Sequence, residues 1–229
     1  MKLKGITDVF FDLDHTLWDF DKNSALTFEK IFDIHNVGVV LDDFLTVYEP
    51  INLNYWKLYR EEKIDKAALR YGRLKNTFDA IDYFVEDRLI NRLSEDYITH
   101  LPSNNYLFDG TIEILNYLKP KYRLHIITNG FHEVQHGKLQ NSNIDIFFET
   151  VTNSEMVGVK KPNPIIFEQA LNLANTTVNS SVMVGDNWEA DIQGAINIGL
   201  DAICFNVHGT KLDKNIKQIT NLLDLKLYL

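Results

Sequence analysis

The segment Val9-Phe10-Phe11-Asp12-Leu13-Asp14-His15-Thr16 runs from an apolar stretch directly into a cluster of polar side chains. The apolar part indicates a short buried strand, although a run of this length needs support from its surroundings. Two carboxylates two positions apart raise each other's pKa unless a cation neutralises them. The segment therefore predicts a strand that ends either at a cation site or at a turn capped by aspartates.

Other short apolar runs share this character, at residues 124–127, 182–184 and 202–205, with a weaker candidate at 149–152. Two of them end in polar clusters, Thr128-Asn129-Gly130 and Gly185-Asp186-Asn187. Helical patterns lie between the runs, at residues 110–118, 131–139, 164–173 and 189–198. Strands that alternate with helices predict an α/β fold with a parallel sheet. Ligands bind at the carboxyl ends of such strands, so we expect the polar clusters to converge on one site.

Residues 17–105 carry helical patterns with no strand-like run between them. The patterns cover residues 24–34, 51–62, 65–78 and 81–100. Ser24 is a suitable N-cap for the first of these helices. The sequence therefore predicts a core formed by residues 1–16 and 106–229, into which an all-helical domain of residues 17–105 is inserted.

The composition is that of an ordinary folded protein, since 45% of the 229 residues are hydrophobic and 24% are charged. The 32 acidic residues outnumber the 23 basic ones, and the net charge of −9 disfavours a nucleic-acid partner. A small phosphorylated substrate stays compatible with this charge, because a bound cation reverses its sign locally. The chain has no apolar run of the roughly 20 residues that a membrane helix needs and no segment typical of a signal peptide. We therefore expect a soluble, cytoplasmic protein without a membrane partner.

The residues that carry chemistry follow one order along the chain: Asp12 and Asp14, Thr128, Lys161, Asp186 and Asp191. The carboxylates offer the oxygen ligands that Mg²⁺ prefers, and one of them can act as a nucleophile. The threonine and the lysine offer donors for a phosphate group. Together they predict a magnesium-dependent site for phosphoryl chemistry.

This order resembles the four motifs of the haloacid dehalogenase superfamily of phosphohydrolases. The motifs stand here as Asp12-x-Asp14-x-Thr16, Thr128-Asn129, Lys161-Pro162, and Gly185-Asp186 with Asp191. The resemblance covers essentially the whole chain. It implies a Rossmann-like parallel sheet of strand order 3-2-1-4-5, and it identifies the insertion after the first motif as a helical cap. Stretches such as Tyr71-Gly72-Arg73 are also similar to the bacterial pyrimidine-type 5′-nucleotidases.

The resemblance implies a phosphatase that hydrolyses a small-molecule phosphomonoester through an aspartyl-phosphate on Asp12. Asp14 would protonate the leaving alcohol and then accept a proton from the hydrolytic water. Asp12, Asp14 and Asp186 would hold the Mg²⁺ ion, Asp14 through its backbone carbonyl. An acid at this second position favours phosphoryl transfer over the dehalogenation that other members of the superfamily carry out.

The remaining motif residues are expected to hold the phosphate and the nucleophile in place. Thr128, Asn129 and Gly130 would bind the substrate, and Lys161 would hold the nucleophile and the phosphate together. Asp191 would orient either Lys161 or metal-bound water. Thr16 is expected to make a structural bond within its own loop.

The narrower resemblance favours a nucleoside 5′-monophosphate as the substrate, with pyrimidines ahead of purines. The alternatives are a phosphatase for phosphoglycolate or sugar phosphates, a phosphomutase, and a binding module that has lost the chemistry. The last conflicts with the presence of the complete set of catalytic residues. The cap is expected to cover the strand ends. The candidates for substrate contact are Trp18, Phe20, Tyr55, Trp56 and Arg73, and core packing within the cap is the alternative role of the aromatic ones.

Two other features suggest chemistry and are better explained by structure. The stretch His132-Glu133-Val134-Gln135-His136 matches the zinc peptidase pattern H-E-x-x-H. Gly137 weakens the helix that this pattern needs and no third ligand stands at a suitable spacing, so we expect an ordinary helix on the rim of the site. The single cysteine, Cys204, excludes an intrachain disulfide and lies in an apolar run that predicts a buried thiol.

Overall fold

The structure, a computed structural model, describes residues 2–229 and divides them into two compact units. The first unit comprises residues 2–20 and Asn105–Leu229, and the second comprises Asp21–Asn104. Within the described part of the chain, no helix combines the length and the apolar character needed to cross a membrane.

The first unit is built on one parallel sheet. Its strands are β1 (Asp8–Phe11), β2 (Arg123–Thr128), β3 (Phe148–Asn153), β4 (Ser181–Gly185), β5 (Asp201–Phe205) and β6 (Lys217–Ile219). They lie in the order β3-β2-β1-β4-β5-β6. The predicted α/β fold and the strand order 3-2-1-4-5 are therefore confirmed. The edge strand β6 was not predicted, because it has only three residues and just one of them, Ile219, is buried.

The part of the chain that the structure describes contains nine α-helices. They are α1 (Phe20–His35), α2 (Leu41–Arg60), α3 (Lys66–Ala80), α4 (Asp87–His100), α5 (Thr111–Leu118), α6 (His132–Asn141), α7 (Ser154–Val157), α8 (Pro164–Leu173) and α9 (Gly194–Asn197). A π-helical turn, Trp188–Gln193, runs directly into α9. The helix predicted at residues 189–198 is therefore a π-helical turn followed by a short α-helix.

The central strand β1 carries the residues that position the site. Its register pairs it with β2 on one side and β4 on the other, and Val9, Phe10 and Phe11 are completely buried. A strand buried on both faces needs such a continuous apolar run. The N–H of Asp12 donates to the carbonyl oxygen of Val184 at 2.9 Å, which extends the ladder one residue beyond β1. Asp12 is therefore fixed at the carboxyl end of the sheet.

A buried pair, Asp8 and His125, links the strands on the side away from their carboxyl ends. Nε2 of His125 lies 2.9 Å from the Asp8 carboxylate, and Nδ1 lies 2.9 Å from the hydroxyl of Thr150. Burial lowers the pKa of His125 despite the neighbouring carboxylate. The neutral ring can thus donate to Asp8 and accept from Thr150, which links β1, β2 and β3 at the end remote from the site.

The second unit consists of α1 to α4, and residues 21–104, all of which are described, contain no strand. Its core is aromatic, with the ring of Phe28 lying 4.7 Å from Tyr48 and 5.0 Å from Phe44. Ser24 does not cap a helix as predicted, because α1 already begins at Phe20. The Ser24 hydroxyl instead lies 2.8 Å from the hydroxyl of Tyr97.

A buried arginine completes the core of the second unit. Arg73 is 2% exposed and donates to Oδ1 of Asn52 at 2.9 Å. Its guanidinium carbon lies 4.8 Å from the ring centroid of Tyr97, within the range of a cation–π contact. Arg73 is therefore a core residue and not an exposed contact for a substrate, whereas the other candidates of this unit, Tyr55 and Trp56, are half-buried.

Candidate active site

The loop after β1 sends the two motif aspartates in different directions. Leu13, between them, is completely buried, and its carbonyl oxygen accepts the N–H groups of Leu17 and Trp18 at 3.0 and 2.9 Å. His15 takes a left-handed conformation with φ of 59° to close this turn. Trp18 also forms a β-bridge with Leu107 and belongs to the first unit, although the boundary predicted at residue 17 placed it in the insertion.

Asp12 is held by a buried lysine. Nζ of Lys161 lies 2.8 Å from Oδ1 of Asp12, 2.6 Å from Oδ1 of Asp191 and 2.7 Å from the carbonyl oxygen of Ile127. Lys161 is only 1% exposed, and burial alone would lower its pKa, but the two carboxylates raise that pKa above its usual value. The ammonium group therefore stays charged and fixes the nucleophile predicted from the sequence.

Asn129 brings Lys161 to this place. Its Oδ1 accepts the backbone N–H of Lys161 at 2.8 Å, and its Nδ2 donates to the backbone carbonyl of Lys161 at 3.0 Å. We predicted that Asn129 binds the substrate, but its side-chain amide is engaged on both sides by the Lys161 backbone. The asparagine of the second motif therefore acts by positioning the lysine of the third.

Three carboxylates meet at the carboxyl ends of β1 and β4. Oxygen atoms of Asp12, Asp186 and Asp191 lie within 4.8 Å of one another, and Asp12 and Asp191 are buried. Burial raises the pKa of Asp12 well above its usual range; Asp186 and Asp191 add to this rise, and Lys161 opposes it. The cluster thus holds three carboxylates, and the Lys161 ammonium group contacts two of them, Asp12 and Asp191. The excess of carboxylates and the all-oxygen donor set suit a hard divalent cation.

Asp191 lies in this cluster together with Asp12 and Asp186, two of the predicted metal ligands. The carboxylate of Asp14 points to α6 instead, and its backbone carbonyl as a metal ligand stays a prediction. Oδ2 of Asp191 accepts the backbone N–H of Asn187 at 3.0 Å across the π-helical turn. Asp191 therefore contacts Lys161, which is one of its two predicted roles, and also lies within the carboxylate cluster.

Asp186 contacts Thr16 and His208, and neither contact was predicted from the sequence. The hydroxyl of Thr16 donates to Oδ1 of Asp186 at 3.3 Å, so its bond crosses to the last motif and does not stay within its own loop. Nε2 of His208 lies 3.5 Å from Oδ2 of Asp186. No periodic pattern surrounds His208, so the sequence offered no signal for it. Sγ of Cys204 lies 3.7 Å from the carbonyl oxygen of Asp186, and the predicted burial of this thiol is confirmed. Burial raises the pKa of Cys204 to about 12, which disfavours the reactive thiolate.

Asp14 is held by two residues of α6. Nζ of Lys138 lies 2.5 Å from Oδ1 of Asp14, and Nε2 of Gln135 donates to Oδ2 at 2.9 Å. Neither residue was predicted, because the two histidines of the H-E-x-x-H pattern dominate the sequence of this helix. His132 and His136 are exposed on the other face, and among the described residues the one candidate metal cluster is that of the aspartates. The spacing of three between Gln135 and Lys138 was the signal for a shared face.

The hydroxyl of Thr128 has a defined direction. It accepts two hydrogen bonds, from Nε2 of Gln135 at 2.9 Å and from the N–H of Gly130 at 3.1 Å. A hydroxyl has two acceptor positions and one proton, so the proton of Thr128 is left to point toward a further acceptor. The Thr128 hydroxyl therefore offers a donor at the end of β2, where the sequence predicts phosphate binding.

Two of the predicted substrate contacts are buried beneath Lys138. Trp18 is completely buried and Phe20 is 8% exposed. The ammonium group of Lys138 lies 4.2 Å from the ring centroid of Trp18 and 5.3 Å from that of Phe20. These aromatic rings therefore support the lysine by cation–π contacts, and the prediction that they contact a substrate is wrong.

Comparison with known proteins decides the family. A family model described as haloacid dehalogenase-like hydrolase matches residues 9–205. The chain belongs to this family. The resemblance inferred from the four motifs is thereby confirmed, and the protein is a hydrolase with the Rossmann-like sheet of that family.

Individual relatives of this hydrolase act on different compounds. It is 33% identical over 201 residues to the pyrimidine 5′-nucleotidase YjjG of Escherichia coli, over 87% of this chain and 86% of the relative. It is 34% identical over 211 residues to a glyceraldehyde 3-phosphate phosphatase of Methanothermobacter thermautotrophicus, over 90% and 88% of the two chains. A magnesium-bound crystal structure of the HAD-hydrolase YfnB from Bacillus subtilis is similar with a TM-score of 0.88 and 25% identity, over 98% of both chains.

The close approach of Asp191 to the backbone of Gly185 generates a stability prediction. A Cβ atom at Gly185 would overlap the side chain of Asp191. We expect Gly185→Ala to lower the free energy of unfolding by about 1–3 kcal/mol, because the buried carboxylate has no room to move. Gly38→Ala is the matched control, since its Cβ would meet only the hydroxyl of Tyr83 at 3.7 Å. Urea denaturation measures the free energy of unfolding of both variants and of the wild type. An equal change in the two variants would contradict this account.

Proposed function

We propose that this hydrolase is a magnesium-dependent phosphatase that cleaves small phosphomonoesters through an aspartyl-phosphate on Asp12. One observation carries the proposal: a buried carboxylate, paired with Lys161, stands at a strand end within a cluster of three carboxylates. An anionic nucleophile of this kind is suited to attack on phosphorus only where positive charge surrounds it. Lys161 supplies one such charge, and a divalent cation would supply the rest.

The residues present fit a magnesium ion. Asp12 and Asp186 would hold it through their carboxylates, with the backbone carbonyl of Asp14 as the third protein ligand, and Asp191 offers a further oxygen within the same cluster. When bound, the ion offsets the repulsion between the nucleophile and the phosphate and neutralises charge on the transferring group.

In the first step, an oxygen of Asp12 attacks phosphorus and the bond from phosphorus to the leaving oxygen breaks. Asp14 enters this step protonated and gives its proton to that oxygen, so the product leaves as a neutral alcohol. Asp14 then becomes the carboxylate that pairs with Lys138. Lys161 keeps the Asp12 carboxylate in place at 2.8 Å. The outward proton of Thr128 is available to a phosphate oxygen, which orients the group for in-line attack.

In the second step, water attacks phosphorus of the aspartyl-phosphate. Asp14 takes a proton from this water, the bond between phosphorus and the Asp12 oxygen breaks, and inorganic phosphate is released. Both carboxyl groups return to their initial states, so no further reagent is consumed. An acid–base residue at this position also explains why we favour phosphoryl transfer over dehalogenation within the same family.

For the substrate, we propose nucleoside 5′-monophosphates, with pyrimidines preferred. The similarity to YjjG supports this choice, and the motif residues of the core act on any phosphomonoester. The second candidate is a short sugar phosphate, which the similarity to the glyceraldehyde 3-phosphate phosphatase supports at the same level of identity. A contact between a nucleobase and Tyr55 or Trp56 stays a prediction.

The metal assignment predicts a change in stability as well as in activity. We expect Mg²⁺ to raise the melting temperature of the EDTA-treated protein, because it relieves repulsion among three carboxylates. The shift should be absent in Asp186→Asn, which removes one charged ligand from the cluster. Phosphate release should stop in EDTA and return with Mg²⁺. Full activity after complete chelation, or an equal melting shift in Asp186→Asn, would contradict the assignment.

The substrate assignment predicts a ranking of specificity constants. We expect kcat/KM for dUMP or dTMP to exceed that for AMP modestly, since stacking on one base contributes about 1–3 kcal/mol. Glyceraldehyde 3-phosphate, phosphoglycolate and a hexose phosphate should rank lower. A screen of phosphate release over these compounds, with and without Mg²⁺, measures the ranking. An advantage of about tenfold or more for any of the last three would exclude the nucleotidase assignment and leave the phosphatase chemistry intact.

A further inference from the structure

Helix α6 of the first unit contacts both Asp14 and Thr128. From α6, Lys138 reaches Oδ1 of Asp14 and Gln135 reaches Oδ2 of the same carboxylate. The two residues are one helical turn apart, so they project from the same face. Both oxygens of the Asp14 side chain are therefore held from one rigid element.

The lysine in this arrangement has little freedom to move. Lys138 is 2% exposed, and its ammonium group lies over the rings of Trp18 and Phe20. A buried ammonium keeps its charge only where acceptors and aromatic faces replace water. If the Lys138 side chain moved away from Asp14, its ammonium group would lose its contacts with the carboxylate and with both aromatic rings.

The glutamine links Asp14 to the phosphate-binding threonine. Its amide nitrogen donates to Oδ2 of Asp14 and to the hydroxyl of Thr128, each at 2.9 Å. Gln135 is buried, and a Cβ atom at Gly130 would overlap its amide. The absence of a side chain at Gly130 therefore provides the space in which the Gln135 amide bridges Asp14 and Thr128.

We propose that Lys138 and Gln135 are positioning residues that hold the Asp14 carboxyl group in register with the leaving oxygen of the substrate. The inference rests on the proposed phosphatase function, in which Asp14 exchanges a proton with that oxygen. Two donors on two carboxylate oxygens define the plane and the rotamer of the group. The shared bond of Gln135 places Asp14 at a fixed distance from Thr128 and hence from the phosphate.

This role predicts a dependence on the leaving group. Phenolate with a nitro substituent departs without needing a proton, whereas unsubstituted phenolate or an alkoxide depends on Asp14. The constant kcat/KM reports the steps up to departure of the alcohol, so hydrolysis of the phosphoenzyme does not enter the comparison. Loss of the positioning contacts should therefore slow poor leaving groups selectively.

The test compares Lys138→Met and Gln135→Leu with the wild type on p-nitrophenyl phosphate and phenyl phosphate. We expect kcat/KM for phenyl phosphate to fall by about tenfold to a hundredfold in each variant, and that for p-nitrophenyl phosphate by less than about threefold. Lys226→Met is the matched control, because it removes a lysine paired with Glu113 at the surface, and it should change neither value. Melting curves show that each variant is folded.

The outcomes separate this inference from the function on which it rests. A wild type that releases phosphate from neither ester refutes the proposed function and the inference with it. An active wild type whose variants lose equal activity on both esters, or lose none, overturns the positioning role alone. If Lys138→Met does not fold, Gln135→Leu tests the positioning role alone. Leucine is similar in size to glutamine, and the substitution removes no charge.

Discussion

The buried ammonium group of Lys161 is the constraint on which the site depends. It contacts the end of β1 through Asp12, the end of β2 through the Ile127 carbonyl, and the π-helical turn after β4 through Asp191. Each of these segments brings a polar group that would be costly to bury without a partner. Removing such a partner from a buried pair typically costs about 3–5 kcal/mol. One lysine therefore allows three carboxylates to lie together at the carboxyl ends of the strands. The negative charge that it does not neutralise makes this place suitable for a cation.

Each aspartate of the first motif has its own lysine. Leu13 is buried between them, and the aspartates on either side point to different partners, Asp12 to Lys161 and Asp14 to Lys138. The nucleophile is thereby separated from the acid–base group although they are two residues apart. A common lysine would tie their positions and charges together. In the proposed reaction, separate lysines on separate elements would let Asp12 face phosphorus and Asp14 face the leaving oxygen.

The sheet order and most of the site could be predicted because they depend on local patterns. Apolar runs ending in polar clusters identify strand ends, and parallel strands bring those ends together whatever the details of packing. The missed features depend on which face of a helix is buried. The sequence of α6 suggests a pair of histidines, yet Gln135 and Lys138 occupy the buried face. Likewise Trp18 and Phe20 look like exposed aromatic residues until the position of Lys138 above them is known. Asn129, predicted at the substrate, is instead bound to the Lys161 backbone.

The most direct test of the central claim is to identify the residue that becomes phosphorylated during turnover. Borohydride reduces an acyl phosphate of aspartate to homoserine, and mass spectrometry of the digested protein locates the change. Quenching with borohydride while substrate and Mg²⁺ are present should place homoserine at position 12, with none in Asp12→Asn or without substrate. Reduction at another aspartate, or turnover with no reducible intermediate at any time after mixing, would contradict the account.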